Sequence, residues 1–246
     1  MPLIRRIATP FGPVSILRDA ATGELIYKQG GARQSESDGL GVSTSAYIHA
    51  IYGLIVQRPA RRVLTIGCGA GCLATMLARW GAEVTAVDLN PASFDIARQY
   101  FSLDDRVACV VDDGAAFLKR HAARYDAIVL DAYHGNEMPA PFRTARFAAL
   151  VQQRLHPQRG RFFANVFLAQ ANDPDADRYA MTLARAFRHV RQLDEPTDTH
   201  RNCIVMAGTV SRLAPPALSA PPACAVGKVF QDLAGYSFRP RALGRG

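Results

Sequence analysis

Residues 63–72 read Val-Leu-Thr-Ile-Gly-Cys-Gly-Ala-Gly-Cys, and a second apolar run, Val84-Thr-Ala-Val-Asp88, follows after a helical stretch. An apolar run ending in alternating glycines, a helix, then a run ending in an acid describes a strand–loop–helix–strand unit. Glycines in such a loop let the backbone approach a ligand with no Cβ in the way. An acid about 20 residues further on stands where a carboxylate can accept both hydroxyls of a ribose. The unit predicts a nucleoside site built from Gly67, Gly69, Gly71 and Asp88. It also obliges the rest of the chain to supply a sheet around that site.

The pattern downstream agrees. A helix over 45–57 can be capped by Ser43 or Thr44 and is stopped by Pro59. Strands are predicted at 62–67, 83–88, 106–111, 125–131 and 160–167, separated by helices at 71–80, 91–101, 114–122 and 143–154. A helix at 175–187 and strands at 190–195 and 202–209 close the series. This alternation predicts an α/β fold with a doubly wound, mostly parallel sheet. Ligands of such sheets lie beyond the carboxyl ends of the strands. Gly67, Asp88, the pair Asp112/Asp113, and Asp131 all fall at such ends. Three regions are expected: a small N-terminal β domain over 1–45, the nucleoside-binding domain over 46–213, and a proline-rich extension over 214–246. In the first, strands 13–18 and 24–28 form a hairpin, and Gly30 to Gly41 reads as a flexible polar segment. The last, ending Arg-Ala-Leu-Gly-Arg-Gly, reads as loosely packed.

Composition narrows the classes. With 49% apolar residues in 246, the chain can bury a sizeable core. No apolar run is long enough to span a bilayer, so no membrane partner is expected. The start, Met-Pro-Leu-Ile-Arg-Arg-Ile, lacks the apolar centre of a secretory signal. Five cysteines, an odd set, point to reduced thiols and a cytoplasmic location. Cys68 and Cys72 lack a partner pair at zinc spacing, so no metal is expected. The net charge of +8 raises the question of nucleic acid. Arg154, Arg159 and Arg161, like Arg185, Arg188 and Arg191, are interleaved with apolar residues and read instead as solvated faces, so nucleic acid is not expected as a partner.

The Gly-x-Gly-x-Gly spacing resembles that of S-adenosylmethionine enzymes more than the Gly-x-Gly-x-x-Gly of dinucleotide folds. Several further motifs fall in a characteristic order: Gln34-Ser-Glu-Ser-Asp38, Val87-Asp88-Leu-Asn-Pro91, Asp112-Asp113-Gly114 and Tyr125-Asp126-Ala-Ile-Val-Leu-Asp131. Pro139 and Arg143-Thr144-x-x-Phe147 follow. Together, from about Gly12 to Phe167, they resemble the spermidine-synthase-like aminopropyltransferases. The resemblance implies a seven-stranded, Rossmann-like methyltransferase sheet behind a small β-hairpin domain. It also implies S-adenosylmethionine or its decarboxylated form as donor, an amine or other small nucleophile as acceptor, and a homodimer. Gln34 would contact the donor's tail or ribose, Asp88 the ribose, and Asp113 beside Gly114 the adenine amino group. Asp131 would face the acceptor amine. Tyr47 reads as a core or interface aromatic.

Two departures stand out. The family's loop carries an aspartate where this chain has Ala70; that carboxylate would attract the ammonium of a decarboxylated donor and repel a donor retaining its carboxylate. A second family aspartate is replaced by His134, with Glu137 as a candidate substitute. An alkylamine titrates near 10.4, so a transferase needs a group to take its proton, and Asp131 and His134 are the candidates. Aminopropyl transfer, methyl transfer, and nucleoside binding without turnover are the three readings.

Overall fold

The computed structural model describes residues 1–195 and 199–240; the Arg-Ala-Leu-Gly-Arg-Gly terminus lies outside the described residues. Strands β1 (Leu3–Ile7), β2 (Val14–Arg18), β3 (Leu25–Gln29) and β4 (Ala32–Ser37) form an antiparallel sheet in sequence order. Gln29 pairs with Ala32, so Gly30-Gly31 is a two-residue hairpin loop. Both glycines have positive φ, +57° and +85°, as a type I′ turn requires. The segment expected to be flexible is therefore this turn and a fourth strand. Arg33, Gln34, Ser35 and Glu36 show no apolar alternation because they line a cleft rather than a core.

The main sheet is built from α1 (Ala46–Val56), β5 (Arg62–Ile66), α2 (Cys72–Trp80), β6 (Glu83–Asp88), α3 (Pro91–Phe101), β7 (Ala108–Val111), α4 (Gly114–Arg120) and β8 (Ala127–Leu130). It continues through α5 (Ala145–Arg154), β9 (Arg161–Leu168), α6 (Asp175–Ala184), β10 (Val190–Asp194) and β11 (Arg201–Gly208). β5 lies between β6 and β8, all parallel, and β9 is parallel to β8. β11 runs antiparallel to both β9 and β10. Val63 packs under α1, α2 and α3, while its neighbour Leu64 packs under α4 and α5 on the other face. That division by alternate residues is the signature of a sheet buried on both faces.

Neither Ser43 nor Thr44 caps α1: Ser45 is the N-cap residue, and the Ser43 hydroxyl instead accepts from the Ser45 N–H at 3.0 Å. The other end of α1 is closed by Arg161, fully buried, which donates to the carbonyls of Leu54, Ile55 and Arg58.

Within the described residues, 214–240 are not loosely packed. Gln57 exchanges hydrogen bonds with Ala214 in both directions, and Ala223 N–H donates to Asp38 Oδ2 at 2.9 Å. α7 (Val226–Ala234) then buries Val229 and Leu233 one turn apart, and β12 (Ser237–Phe238) pairs with β10. The sheet thus has eight strands, in the order β12-β10-β11-β9-β8-β5-β6-β7, one more than expected. Proline-rich sequence hid a strap that crosses from α1 to the N-terminal sheet and back to the main one. No helix among the described residues is long and apolar enough to cross a membrane.

Candidate active site

The carboxyl ends of β5, β6, β7 and β8, the inner face of β4, and the strap enclose a cleft of about 1180 Å³. Its floor is the glycine loop. Gly67 has φ +95°, and a Cβ there would stand 2.1 Å from the Asp131 carbonyl oxygen. A Cβ on Gly69 would meet Ser35 Oγ at 2.5 Å, and one on Gly114 would meet Ile66 Cγ2 at 2.3 Å. These glycines let the loop ends pack directly against the Asp131 backbone, Ser35 and Ile66, where a side chain would force them apart. Gly71 does something else. It starts α2 in the left-handed region, packs toward Leu103, and is absent from the cleft wall.

Asp88, at the end of β6, lines the cleft. Its Oδ2 accepts from Cys68 N–H at 2.8 Å; its Oδ1 accepts from Asn90 N–H at 2.8 Å and from the Ser93 hydroxyl at 3.3 Å. Burial holds its carboxyl above the ordinary range, opposed by those three donors. The carboxylate is thus fixed in orientation while keeping acceptor capacity for a ligand. Asp113 also lines the cleft, and its Oδ1 caps α4 by accepting from Ala116 N–H at 2.8 Å. Its other oxygen carries no hydrogen bond among the described residues. Asp112 is ion-paired with Arg120.

Asp131, at the end of β8, is gripped from two sides. Asn165 Nδ2, from β9, donates to Oδ1 at 2.8 Å, and the Tyr47 hydroxyl, from α1, donates to Oδ2 at 3.1 Å. Burial again raises its carboxyl, and the two donors oppose that. Burial and the neighbouring Asp131 charge push the Tyr47 hydroxyl well above its usual range, so it stays a donor. Tyr133 donates to Asn165 O at 2.7 Å and accepts from Phe167 N–H at 2.8 Å, which locks the β8–β9 loop edge. Thr65 Oγ1, Asn90 Nδ2 and Asn165 Oδ1 are buried, belong to residues that line the cleft, and lack partners among the described residues. Buried polar atoms are rarely left unmatched, so these are groups a polar ligand would satisfy.

The remaining candidates scatter. Gln34 lines the cleft, and its Nε2 donates to Gly135 O at 3.0 Å, tying β4 to the loop after β8. His134 is an exposed rim residue whose ring lies edge-on to Phe11, with centroids 6.3 Å apart; its backbone pairs with Glu137. Glu137 is exposed, outside the cleft wall and 4.0 Å from Arg143. Ala70 is buried in a cluster with Val14, Ile16, Tyr27 and Phe101 under the N-terminal sheet. Its methyl faces that core, and its N–H donates to Ser35 Oγ at 3.1 Å. Sequence reasoning missed Asn165 and Ser35 and discounted Tyr47. An asparagine in the apolar run Arg161–Leu168 was the available signal for the first. The strap residues Lys228, Asp232 and Tyr236 also reach the cleft.

Residues 63–158 match the family model described as a methyltransferase domain. A polyamine aminopropyltransferase of Chromobacterium violaceum is 29% identical over 168 residues, covering 66% of this chain and 62% of the relative. A ubiquinone biosynthesis O-methyltransferase of Methylocella silvestris is 40% identical over 73 residues, 28% of this chain and 27% of the relative. The chain thus spans less than two thirds of the length of these curated relatives. A probable spermidine synthase from Corynebacterium glutamicum superimposes with a TM-score of 0.78 at 18% identity, covering 97% of this chain and 91% of that one. Residues 63–158 are thus similar to a methyltransferase domain, and the chain has the fold of the spermidine synthases.

Proposed function

We propose that the cleft is the active site of an alkyl transferase that takes an aminopropyl group from decarboxylated S-adenosylmethionine and delivers it to an amine. One observation carries this reading: a desolvated carboxylate, Asp131, clamped by Tyr47 and Asn165 in the same cleft as Asp88. When bound, the donor supplies a carbon activated by a sulfonium. The chain's own residues do the rest. Asp88 accepts the ribose hydroxyls, the loop at Gly67 and Gly69 borders the sulfur side, and Asp113 and Gly114 border the base. Asp131 orients the acceptor nitrogen and takes its proton, for which burial raises its affinity. Asn165 Oδ1 offers a second acceptor beside it. His134, at the rim, is a candidate relay for that proton to solvent.

Methyl transfer from intact S-adenosylmethionine is the second reading. The Ala70 methyl is buried in the core and leaves no loop carboxylate to repel a donor carboxylate, while Arg33 and Lys228 in the cleft wall would tolerate one. Calorimetry with both donors, followed by mass analysis of products from a panel of amines and phenols, separates the readings. Tight binding of the decarboxylated donor with aminopropylated product is the expected outcome. Preference for the carboxylated donor with methylated product would replace the first reading by the second. Binding of either donor with no product from any acceptor would leave a nucleoside-binding protein.

A further inference from the structure

The edge of the sheet opposite the cleft is a row of arginines. The loops there are joined by backbone hydrogen bonds: Glu83 N–H to Arg61 O, Asp126 N–H to Arg62 O, Arg161 N–H to Asp126 O, Thr209 N–H to Gly160 O and Gly208 N–H to His189 O. They make one continuous shelf beneath β6, β5, β8, β9, β11 and β10. Arg61, Arg62 and Arg124 stand on it just before or at the starts of β5 and β8, and Arg159 stands before β9. Arg212 follows β11 and Arg188 precedes β10; all six are exposed. Arg58 joins them, because its carbonyl accepts from Arg161 Nη2.

The carboxylates on this shelf are already spent. Glu83 is shared between Arg61 and Arg62 at 3.3 and 3.6 Å. Asp126 is buried; its Oδ2 accepts from the N–H groups of Arg61 and Arg62, and its Oδ1 from Arg159 Nε at 2.6 Å. Among the described residues, Arg58, Arg124, Arg188 and Arg212 have no carboxylate within 4.0 Å. Arg61, Arg62, Arg124, Arg159 and His156, with the ion-paired Glu83 and Asp126, enclose a depression of about 370 Å³. The cleft wall, by contrast, holds seven carboxylates, Asp88 and Asp131 among them, against Arg33, Arg201 and Lys228. The net charge of +8 is therefore polarised, and these arginines come from strand-joining loops rather than from helix faces.

We infer that this shelf docks the phosphodiester backbone of a single-stranded nucleic acid. Guanidinium forks match phosphate oxygens and are weakly hydrated, so they favour this anion over others. The row from β5 to β10 crosses five neighbouring strands, about 19 Å at a spacing of about 4.8 Å, too long for one phosphate and suited to several in series. Apart from the half-buried imidazole of His156, no aromatic side chain lines the depression among the described residues. Without an exposed stacking platform, recognition rests on phosphates and tolerates any sequence. The inference is independent of what the cleft transfers.

The test is fluorescence anisotropy of the full chain with a labelled RNA of about 20 nucleotides at low salt. Binding is expected, with log affinity falling steeply against log salt. The triple variant Arg58→Ala, Arg188→Ala, Arg212→Ala should bind at least about tenfold more weakly. Its salt slope should be shallower by about 2, since each neutralised phosphate contributes roughly 0.7 for single strands. Arg212→Glu alone, with an unchanged melting temperature, should weaken binding in the same direction. Saturating S-adenosylhomocysteine should leave the RNA affinity unchanged. Absence of RNA binding at low salt, or displacement by S-adenosylhomocysteine, would overturn the inference. So would tighter capture by polyglutamate than by RNA. Full affinity in the shelf variants, with loss instead in Arg6→Ala/Lys28→Ala on the outer face of the N-terminal sheet, would also overturn it.

Discussion

At the scale of residues, the half-buried Asp88 and Asp131 carry the proposed division of the cleft's work, and each is open to a direct test. Asp88→Ala should weaken S-adenosylhomocysteine binding by about 1.5–3 kcal/mol in calorimetry, the range for charge-assisted hydrogen bonds to a ligand. Asp131→Asn should abolish transfer while stabilising the fold at neutral pH. Burial raises the Asp131 carboxyl above its ordinary 3.8, so its charge opposes folding once pH exceeds the folded value. The stability gained by the variant should be largest near neutrality. It should shrink as pH falls through the folded value, and vanish below 3.8, where the parent's carboxyl is protonated in both states; thermal melts across pH would show this. Tyr47→Phe removes a donor that lowers the Asp131 carboxyl. The acid limb of the rate profile should therefore move to higher pH, with the melting temperature little changed. A profile that stays in place would mean that Asp131 is not the titrating group.

At the scale of elements, the sequence announced those with periodic burial and hid those that serve the cleft. Strands β5 to β11 and the helices between them were legible because Val63, Leu64 and their counterparts must bury on both faces; β12 was not. β4 was illegible because Ser35 and Gln34 earn their places by touching Ala70 N–H and Gly135 O, which leaves no apolar alternation. The same reasoning applies to the site. Asp88 and Asp131 were visible as strand-end acids, whereas Asn165 sits three residues before the end of β9 and is recognisable only through its contact with Asp131. The exposure of Glu137 and the inward methyl of Ala70 depend on loop paths that no local pattern encodes. α7 was masked by the prolines before it, although its apolar pair at 229 and 233 is helical in spacing. Leu233→Ala should cost about 2–4 kcal/mol in urea unfolding, as for other buried leucines, and should loosen donor binding as well. Unchanged stability would mean that α7 is not docked in solution.

At the scale of the whole molecule, ligand and tail should stabilise one another. S-adenosylhomocysteine at about 100 times its dissociation constant should add about 2.7 kcal/mol to unfolding, by mass action on the folded state. Because Lys228, Asp232 and Tyr236 border the cleft, the same occupancy should slow proteolytic cleavage within 214–240. A ligand that raises the melting temperature yet leaves that cleavage rate unchanged would place it away from the strap.

The strap is pinned at two distant points. Ala223 holds Asp38 near the end of the N-terminal sheet, while Arg239 grips the buried Asp194, which also receives Arg201. Rotating the small sheet outward to widen the entrance must therefore detach one of these anchors or stretch the chain between them. Any such widening is an unclasping of the C-terminal segment.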